Sequence, residues 1–386
     1  MIPSISKAEF QERMRKFQAN IKAAGLDAAL VHGIECDCAN VRYLSEYWPT
    51  FEAAGVFVPA EGAPALLIGP ESEEYARERS VIPTIHKLIP YRESAEPEYP
   101  GMPGIANWSD VVKASGMGSL RKLGIVSSAI TSMPVIDSLK AELPGVEIIK
   151  ADDTLQSLRF VKSETELACL RKAFEIGEMA IEAILNEIKP GMTEFQVIGI
   201  AQREIYKNGG EYEGHSLYCF SAKRTNSGIS RPSSKVIGTN EMIQLNIGAR
   251  VSGYASSVGL PFSIGALPAD QKDLLEFGLK AHKKTIELMG GGKPAGEVVR
   301  EYEKWVADQG YAKFMLYGPC HAIGMMEVER PWMESVSTYK LVPNMTFQVD
   351  TFFHTQDFGL RWENGVIIKE QGVEMLSQKY MKIIEL

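Results

Sequence analysis

One histidine and two acidic residues in the last quarter of the chain have the types that acid–base or metal chemistry requires. His321 lies among small residues in Tyr317–Gly324, at the end of an apolar run. Such a histidine either approaches a ligand closely or is a core histidine bonded to a carbonyl, and the sequence leaves both open. Asp350 and Glu363 lie in apolar, strand-like stretches, where a carboxylate is costly to bury without a partner. Because perturbed acidic groups gather at functional sites, we predict that these three side chains share one site.

Several other chemical signatures are missing from the sequence. Neither a His-Glu-x-x-His nor a Gly-x-Ser-x-Gly motif occurs, which removes the best markers of zincins and of ordinary serine hydrolases. The glycine run Gly290–Gly292 joins two helical stretches, so it is interpreted as a turn and not as a phosphate-binding loop. The 5 cysteines are odd in number and sparse, which argues against a disulfide framework and for reduced thiols in a cytoplasm.

The amino-acid composition argues against nucleic acid and membranes as binding partners. The 386 residues include 49 acidic and 41 basic side chains, and the net charge of −8 argues against general nucleic-acid binding. No apolar run approaches the roughly 18 residues of a membrane span, and no basic region precedes an apolar stretch at Met1–Ser6. We therefore predict a cytoplasmic protein that acts on a small molecule and engages neither nucleic acid nor a membrane.

The order of the predicted helices and strands that position the candidate residues changes near residues 152–160. Before this point, short apolar runs such as Ala28–Val31 and Leu123–Val126 alternate with helical stretches, which is typical of a small α/β layer. After it, two long helices are followed by strands, and two further helices are again followed by strands. This repetition indicates an internal duplication built on an antiparallel sheet, and the change of pattern predicts a domain boundary near residues 152–160.

The motifs resemble those of the pita-bread-fold family that contains methionine aminopeptidase, prolidase, aminopeptidase P and creatinase. The resemblance covers nearly the whole chain and implies an α+β fold of two domains, an N-terminal α/β creatinase-like domain over 1–155 and a C-terminal pita-bread catalytic domain over 156–386. In the peptidases of this family, two aspartates, one histidine and two glutamates hold two metal ions that activate a bridging water. The residues at the five matching positions of this chain are Asn246, Ser257, His321, Asp350 and Glu363.

Two of these five positions depart from the family pattern. Asn246 stands in Leu245–Ala249 where the family has its first aspartate, and Ser257 replaces the second. Two carboxylates and an imidazole are a thin shell for two divalent ions. The resemblance therefore implies a pocket without a cofactor, or at most one divalent metal ion on His321, Asp350 and Glu363. Creatinase, which also has asparagine at the first position, provides the precedent for a metal-free site.

Creatine itself is excluded as the substrate by further departures. The catalytic histidine that creatinase has upstream falls at Ser230 or Arg231 here, and its guanidinium-binding glutamate falls near Gly259. Val328 replaces a histidine that the peptidases have in a His-Glu-x-Pro motif, which also weakens the case for ordinary dipeptidase chemistry.

Other residues near these motifs are candidates for substrate binding. Arg231 and Arg330 either clamp a carboxylate bidentately or form structural ion pairs. Trp48 and Phe51 lie where the resemblance implies a loop near the partner's site in a homodimer; packing under the domain interface is the alternative. The complete set of predicted substrate-binding residues is Asn246, Ser257, Ser230, Arg231, Glu329, Arg330, Trp48 and Phe51.

The function predicted from these residues is that of a metal-independent, creatinase-like hydrolase. It would cleave a C–N or similar bond of a small anionic or amino-acid-derived substrate, with His321 as general acid or base and Asp350 or Glu363 orienting it. Three alternatives stay open: a lyase on the same scaffold, a metallo-dipeptidase of the Xaa-Pro type with a reduced metal site, and a non-catalytic binding module.

Overall fold

The chain folds into two compact units. The computed structural model describes residues 2–386, and contacts divide them into one unit over Ile5–Arg159 and a second over residues 2–4 and Phe160–Leu386. The division therefore follows Arg159, whereas the sequence analysis placed it after residue 155. Within the described residues, the helices are too short or too polar to cross a membrane.

The first unit is a mixed sheet with helices, as the alternating pattern predicted. Its six strands take the order β4-β3-β2-β1-β5-β6, and β1 pairs antiparallel with β2 but parallel with β5. The helices are α1 (Lys7–Ala23), α2 (Ala39–Ser45), α3 (Glu73–Arg79), α4 (Trp108–Ala114), α5 (Met133–Glu142) and α6 (Asp152–Gln156). The strands are β1 (Ala28–Gly33), β2 (Ala54–Pro59), β3 (Ala65–Ile68), β4 (Ile85–Lys87), β5 (Lys122–Val126) and β6 (Glu147–Lys150).

A buried histidine in β1 has no hydrogen-bond partner for either ring nitrogen within the described residues. His32 is 1% exposed, and its ring lies 5.6 Å from that of Tyr91, whose hydroxyl also lacks a partner. Burial lowers the pKa of His32 from 6.5 to about 4, because the imidazolium loses its hydration without gaining a counter-charge.

This histidine predicts a loss of stability in acid. The unfolded chain takes up a proton on this residue near pH 6.5, but the folded chain resists protonation until about pH 4. The contribution of neutral His32 is therefore complete above pH 6.5 and is lost as the pH falls to 4, by about 3 kcal/mol. Denaturant midpoints measured from pH 7 to pH 4 should fall less steeply for His32→Phe than for the wild type. Parallel profiles for the two proteins would contradict this expectation, and His354→Phe, at a half-buried histidine, is the control.

The second unit repeats a helix-pair-then-strands order twice. Its helices are α7 (Glu164–Glu187), α8 (Glu194–Lys207), α9 (Ala269–Leu288) and α10 (Ala295–Asp308). Its first strands are β7 (Tyr212–Glu213), β8 (Tyr218–Ser221), β9 (Met242–Ile247), β10 (Ala249–Val251), β11 (Tyr254–Ala255) and β12 (Val258–Ser263). Its later strands are β13 (Cys320–Ala322), β14 (Glu329–Met333), β15 (Thr346–His354), β16 (Gly359–Ile368) and β17 (Val373–Met375).

An antiparallel sheet is the centre of this unit. Its strands follow the order β14-β13-β15-β16-β12-β9-β8, with β17 added beside β16. A capping box begins α7, because the Ser163 hydroxyl accepts from the Glu166 backbone and the Glu166 carboxylate accepts from the Ser163 backbone. The buried face of α7, which includes Leu167, Leu170 and Phe174, is the apolar stripe that the helical spacing predicted. The predicted α+β class and antiparallel sheet are thus confirmed.

Candidate functional site

A cavity of about 440 Å³ opens on the sheet of the second unit. Its polar lining residues are His215, Asn246, Ser257, His321, Glu327, Asp350, Arg361 and Glu363. Its aromatic and aliphatic lining residues are Tyr218, Ile229, Leu316, Tyr317, Val328 and Trp332. A few polar groups that converge among apolar walls are typical of a small-molecule site.

Strand register explains why distant residues meet in this cavity. Asn246 pairs with Gly259, Gly259 pairs with Glu363, and Glu363 pairs with Asp350. Directly paired residues of an antiparallel sheet point to the same face, so these positions form one row across four strands. His321 joins this face from β13, since it pairs with Gln348, two residues before Asp350.

Glycine at position 259 allows the side chains of its two neighbours in the row to meet. A Cβ at this position would lie 2.6 Å from the Cβ of Glu363 and 3.1 Å from Nδ2 of Asn246. Because Gly259 has no side chain, the amide of Asn246 reaches Oε2 of Glu363 directly across it. The position where creatinase would carry its guanidinium-binding glutamate is therefore filled by this hydrogen bond.

Glu363 is the most heavily hydrogen-bonded acid of the site. Oε2 accepts from the amide of Asn246 and from the hydroxyl of Ser257, at 3.1 Å for the hydroxyl. Oε1 accepts from Nε2 of Gln348 at 2.7 Å. Asn246 and Ser257, which were predicted to bind substrate, thus direct their side chains to Glu363.

A carboxylate that the sequence analysis missed lies against Glu363. Glu327 is close enough for the two carboxyl groups to share a hydrogen bond, and its Oε1 lies 3.6 Å from Nε2 of His321. Burial raises the pKa of both glutamates, and the charge of Glu327 raises that of Glu363 further. Glu327 carries no motif signal, since it is one polar residue in the Met325–Val328 turn between β13 and β14.

Asp350 is engaged elsewhere in the cavity. One oxygen accepts from the Tyr317 hydroxyl at 2.7 Å, and the other lies 3.1 Å from Nε of Arg361. Arg361 also donates to the hydroxyl of Tyr317 at 2.6 Å and to the backbone oxygen of Gly228 at 2.8 Å. The partner of Asp350 is therefore an arginine on the neighbouring strand, and of the two acids that the sequence offered for orienting His321, Asp350 is engaged with Arg361 instead.

Both histidines of the cavity have the same tautomer. Nδ1 of His321 donates to the backbone oxygen of Ala322 at 3.1 Å, and Nδ1 of His215 donates to that of Ser216 at 2.7 Å. In the neutral imidazole, each Nε2 therefore carries the lone pair, which suits proton transfer or metal coordination. His321 combines the two interpretations that the sequence left open, because it is bonded to a carbonyl and also lines the cavity.

Comparison with known proteins identifies the family. The model of metallopeptidase family M24 matches residues 168–370, and the model of the creatinase/prolidase N-terminal domain matches residues 13–161. The chain belongs to metallopeptidase family M24. It is a hydrolase of the prolidase and creatinase type, so the predicted family, the two-domain pita-bread fold and the enzyme class are confirmed.

Individual M24 relatives match over almost their full length. A Xaa-Pro dipeptidase of Pyrococcus horikoshii is 26% identical, and the match spans 97% of this chain and 99% of the relative. A probable dipeptidase of Mycobacterium tuberculosis is 28% identical over 84% of this chain and 83% of the relative. The structure of an X-Pro aminopeptidase from Thermotoga maritima shares the fold, with a TM-score of 0.83 at 20% identity, covering 97% of this chain and 99% of the other.

The cavity does not fit the two-metal centre of M24 peptidases. Asn246 and Ser257 occupy the aspartate positions and donate hydrogen bonds to Glu363, whereas metal ligands must offer lone pairs. Asp350 is neutralised by Arg361. Yet the family consists of metallopeptidases, which does not support the prediction of an enzyme without a cofactor. Among the described residues, only His321, Glu327 and Glu363 bring potential ligand atoms together, within 4.8 Å of one another.

Several residues predicted to bind substrate lie outside the lining of this M24 cavity. Neither Ser230 nor the exposed Arg231 lines the cavity, whereas Gly228 and Ile229 just before them do. Glu329 is buried, accepts from the Met326 backbone at 2.8 Å and lies 3.8 Å from the Lys162 ammonium. Arg330 is exposed on β14 and is also absent from the lining.

Trp48 and Phe51 belong to the first unit. The indole of Trp48 donates to the backbone oxygen of Glu35, and Phe51 is 85% exposed with its backbone in the left-handed region. The proposed role of both residues in a partner's site stays a prediction.

A buried glutamate holds the segment that carries Ile229. The Glu194 carboxylate accepts from the backbone and hydroxyl groups of both Ser221 and Ser233. It also pairs with Arg224 at 3.1 Å. These bonds fix both ends of the segment, and its Ile229 lines the cavity although the side chain is 89% exposed.

Proposed function

We propose that the chain is a metallo-dipeptidase that hydrolyses the C–N bond of small carboxylate-bearing peptides of the Xaa-Pro type. The observation that carries this proposal is the presence of buried Arg361 in one cavity with His321 and Glu363. Nη1 of Arg361 makes no hydrogen bond within the described residues and can donate to a substrate carboxylate, and the cavity volume suits a dipeptide.

The relatives support the metallo-dipeptidase alternative better than the metal-independent hydrolase. The matched family model is that of metallopeptidases, and the relative from Pyrococcus horikoshii is a Xaa-Pro dipeptidase. The apolar walls formed by Tyr218, Leu316 and Trp332 provide a surface against which a proline ring can pack.

The residues of the chain have distinct tasks in this proposal. Arg361, held by Asp350 and Tyr317, orients the substrate carboxylate. Nε2 of His215 has no hydrogen-bond partner within the described residues and is available to accept a proton inside the cavity. A bound divalent cation would polarise the scissile carbonyl and lower the pKa of a water molecule.

One observation favours a second candidate, a metal-free hydrolase with His321 as acid or base. Asn246 and Ser257 supply neutral donors to Glu363, so the site carries less negative charge than five ligands of the family type would. A protein that hydrolyses its substrate at full rate after exhaustive chelation would support this candidate.

A substrate panel tests the proposed function. Xaa-Pro dipeptides, other dipeptides and guanidino acids would be incubated with the protein and Mn²⁺, Co²⁺ or Zn²⁺ in ¹⁸O-labelled water. We expect hydrolysis of Xaa-Pro dipeptides with one ¹⁸O in the released carboxylate. An unsaturated product without ¹⁸O would indicate the lyase, and the absence of turnover across all peptides would overturn the proposal.

Arg361→Lys is expected to weaken recognition of the substrate carboxylate. Lysine keeps the charge beside Asp350 but cannot bond Tyr317 and Gly228 and also donate to the substrate as the planar guanidinium can, so KM for the free acid should rise about 10- to 100-fold, with a smaller change in kcat. The wild type should discriminate strongly against a C-terminally amidated dipeptide, and the variant should not. Arg231→Lys, at an exposed residue, is the matched control. Equal discrimination in the wild type and Arg361→Lys would show that the carboxylate is bound elsewhere.

A further inference from the structure

Among the described residues, Glu327 forms no ion pair with a lysine or an arginine, and its Oε1 lies 3.6 Å from the imidazole Nε2 of His321. Its carboxylate lies against that of Glu363, and the guanidinium of the cavity, Arg361, is ion-paired with Asp350 and hydrogen-bonded to Tyr317. Two carboxylates in contact inside a protein repel each other strongly unless a proton or a cation lies between them.

The hydrogen bonds of Glu363 leave room for one further ligand. A carboxylate offers about four lone-pair sites, and Asn246, Ser257 and Gln348 donate to three of them. All three donors are neutral, so they orient the carboxyl group without supplying a counter-charge. Glu363 therefore keeps a lone pair that can take a proton or a cation shared with Glu327.

The imidazole of His321 completes the arrangement. Its Nδ1 proton is held by the backbone oxygen of Ala322, so Nε2 presents a lone pair 3.6 Å from Oε1 of Glu327. A histidine that ligates a metal usually donates its other nitrogen in this manner, which fixes the ring orientation. The Glu327 side chain is 19% exposed, so the site is open to ions from solvent.

We propose that His321, Glu327 and Glu363 form a single-cation site in which Glu327 takes over the charge of the two missing aspartates. The proposal rests on the proposed function and specifies its metal centre: one ion instead of two, with Asp350 outside the ligand set. One imidazole and two carboxylates suit Zn²⁺, Mn²⁺, Co²⁺ or Fe²⁺, with open positions for water or substrate.

The test is cation binding without substrate. The full chain would be stripped with chelator and dialysed against Mn²⁺ or Zn²⁺, and bound metal would be measured by mass spectrometry and calorimetry. We expect one equivalent per chain for the wild type and at least a 100-fold loss of affinity for Glu327→Gln. Asp350→Asn is the matched control and should keep both stoichiometry and affinity within a few-fold, since Asp350 binds Arg361.

Thermal unfolding supplies a readout of folding. Added Mn²⁺ or Zn²⁺ should raise the melting temperature of the wild type and of Asp350→Asn but not that of Glu327→Gln. Glu327→Asp keeps the carboxylate on a side chain one methylene shorter, so it is the control for a folding defect. It should bind the cation with intermediate affinity. Two equivalents in the wild type, no binding at all, unchanged affinity in Glu327→Gln, or loss of the cation in Asp350→Asn would overturn the site.

The outcome separates this site from the proposed function. A chain that binds one cation through Glu327 but hydrolyses no dipeptide would keep the site and overturn the function. A chain that hydrolyses Xaa-Pro dipeptides without any bound cation would keep the peptide substrate and overturn the site.

Discussion

His321→Ala is expected to reduce turnover of a dipeptide substrate by about 10³-fold without unfolding the chain. The side chain lines the cavity, and its Nε2 lone pair faces the two glutamates, whether it transfers a proton or coordinates a cation. The imidazole makes one hydrogen bond, to the adjacent Ala322 oxygen, so its removal leaves the strand pairing of β13 intact. The measurement is kcat/KM for the best dipeptide of the panel, with the melting temperature of each protein as the fold check.

The matched control for this substitution is His354→Ala. His354 ends β15 and is half-buried, yet it lies outside the lining of the cavity. Its removal should leave kcat/KM within a few-fold of the wild type. Turnover by His321→Ala at the wild-type rate, in a folded protein, would remove His321 from the chemistry.

Gly248→Ala is expected to cause the largest loss of stability among single changes near the site. A Cβ at this position would lie 1.7 Å from the backbone oxygen of Ser256, which is far inside any permissible contact and cannot be relieved by a side-chain rotation. The strand link between β9 and β10 would have to move away from the segment that carries Ser257. We expect a loss on the order of 4 kcal/mol or more, or failure to fold.

Gly199→Ala is the control for the glycine substitution. Gly199 is exposed within α8, and a Cβ there would meet no atom within 4 Å. Alanine forms helix better than glycine, so this variant should be more stable by about 0.5–1 kcal/mol. Denaturant midpoints of the two variants and the wild type test the comparison, and a folded Gly248→Ala protein with an unchanged midpoint would contradict the steric argument.

The helices and strands near the site were largely predictable from local patterns. The capping box at Ser163 and Glu166 and the apolar stripe of α7 depend on residues three or four apart in sequence, so one segment contains the whole signal. His321, Asp350 and Glu363 were recognisable for a similar reason, because a polar residue in an apolar strand is conspicuous along the chain.

The partners of these residues were less accessible to sequence reasoning. Arg361 lies two residues before Glu363 on the same strand, but nothing local in the sequence shows that it faces Asp350 on the neighbouring strand. Arg231 and Arg330 were chosen as carboxylate clamps because they flank motifs, and both lie outside the cavity lining. Proximity along the chain was a poor guide, since cross-strand register decides which side chains meet.

The sequence by itself determined the family, the two-domain α+β fold and the loss of two aspartates, because each depends on residue type at a recognisable position. Only the tertiary structure decided which groups the remaining polar and charged side chains contact. It directs Asn246 and Ser257 to Glu363, pairs Asp350 with Arg361, and brings Glu327 against Glu363 from a turn without a motif. The physical reason is that the Coulomb energy of a carboxylate depends on distance and burial, and both are set by contacts between strands far apart in sequence.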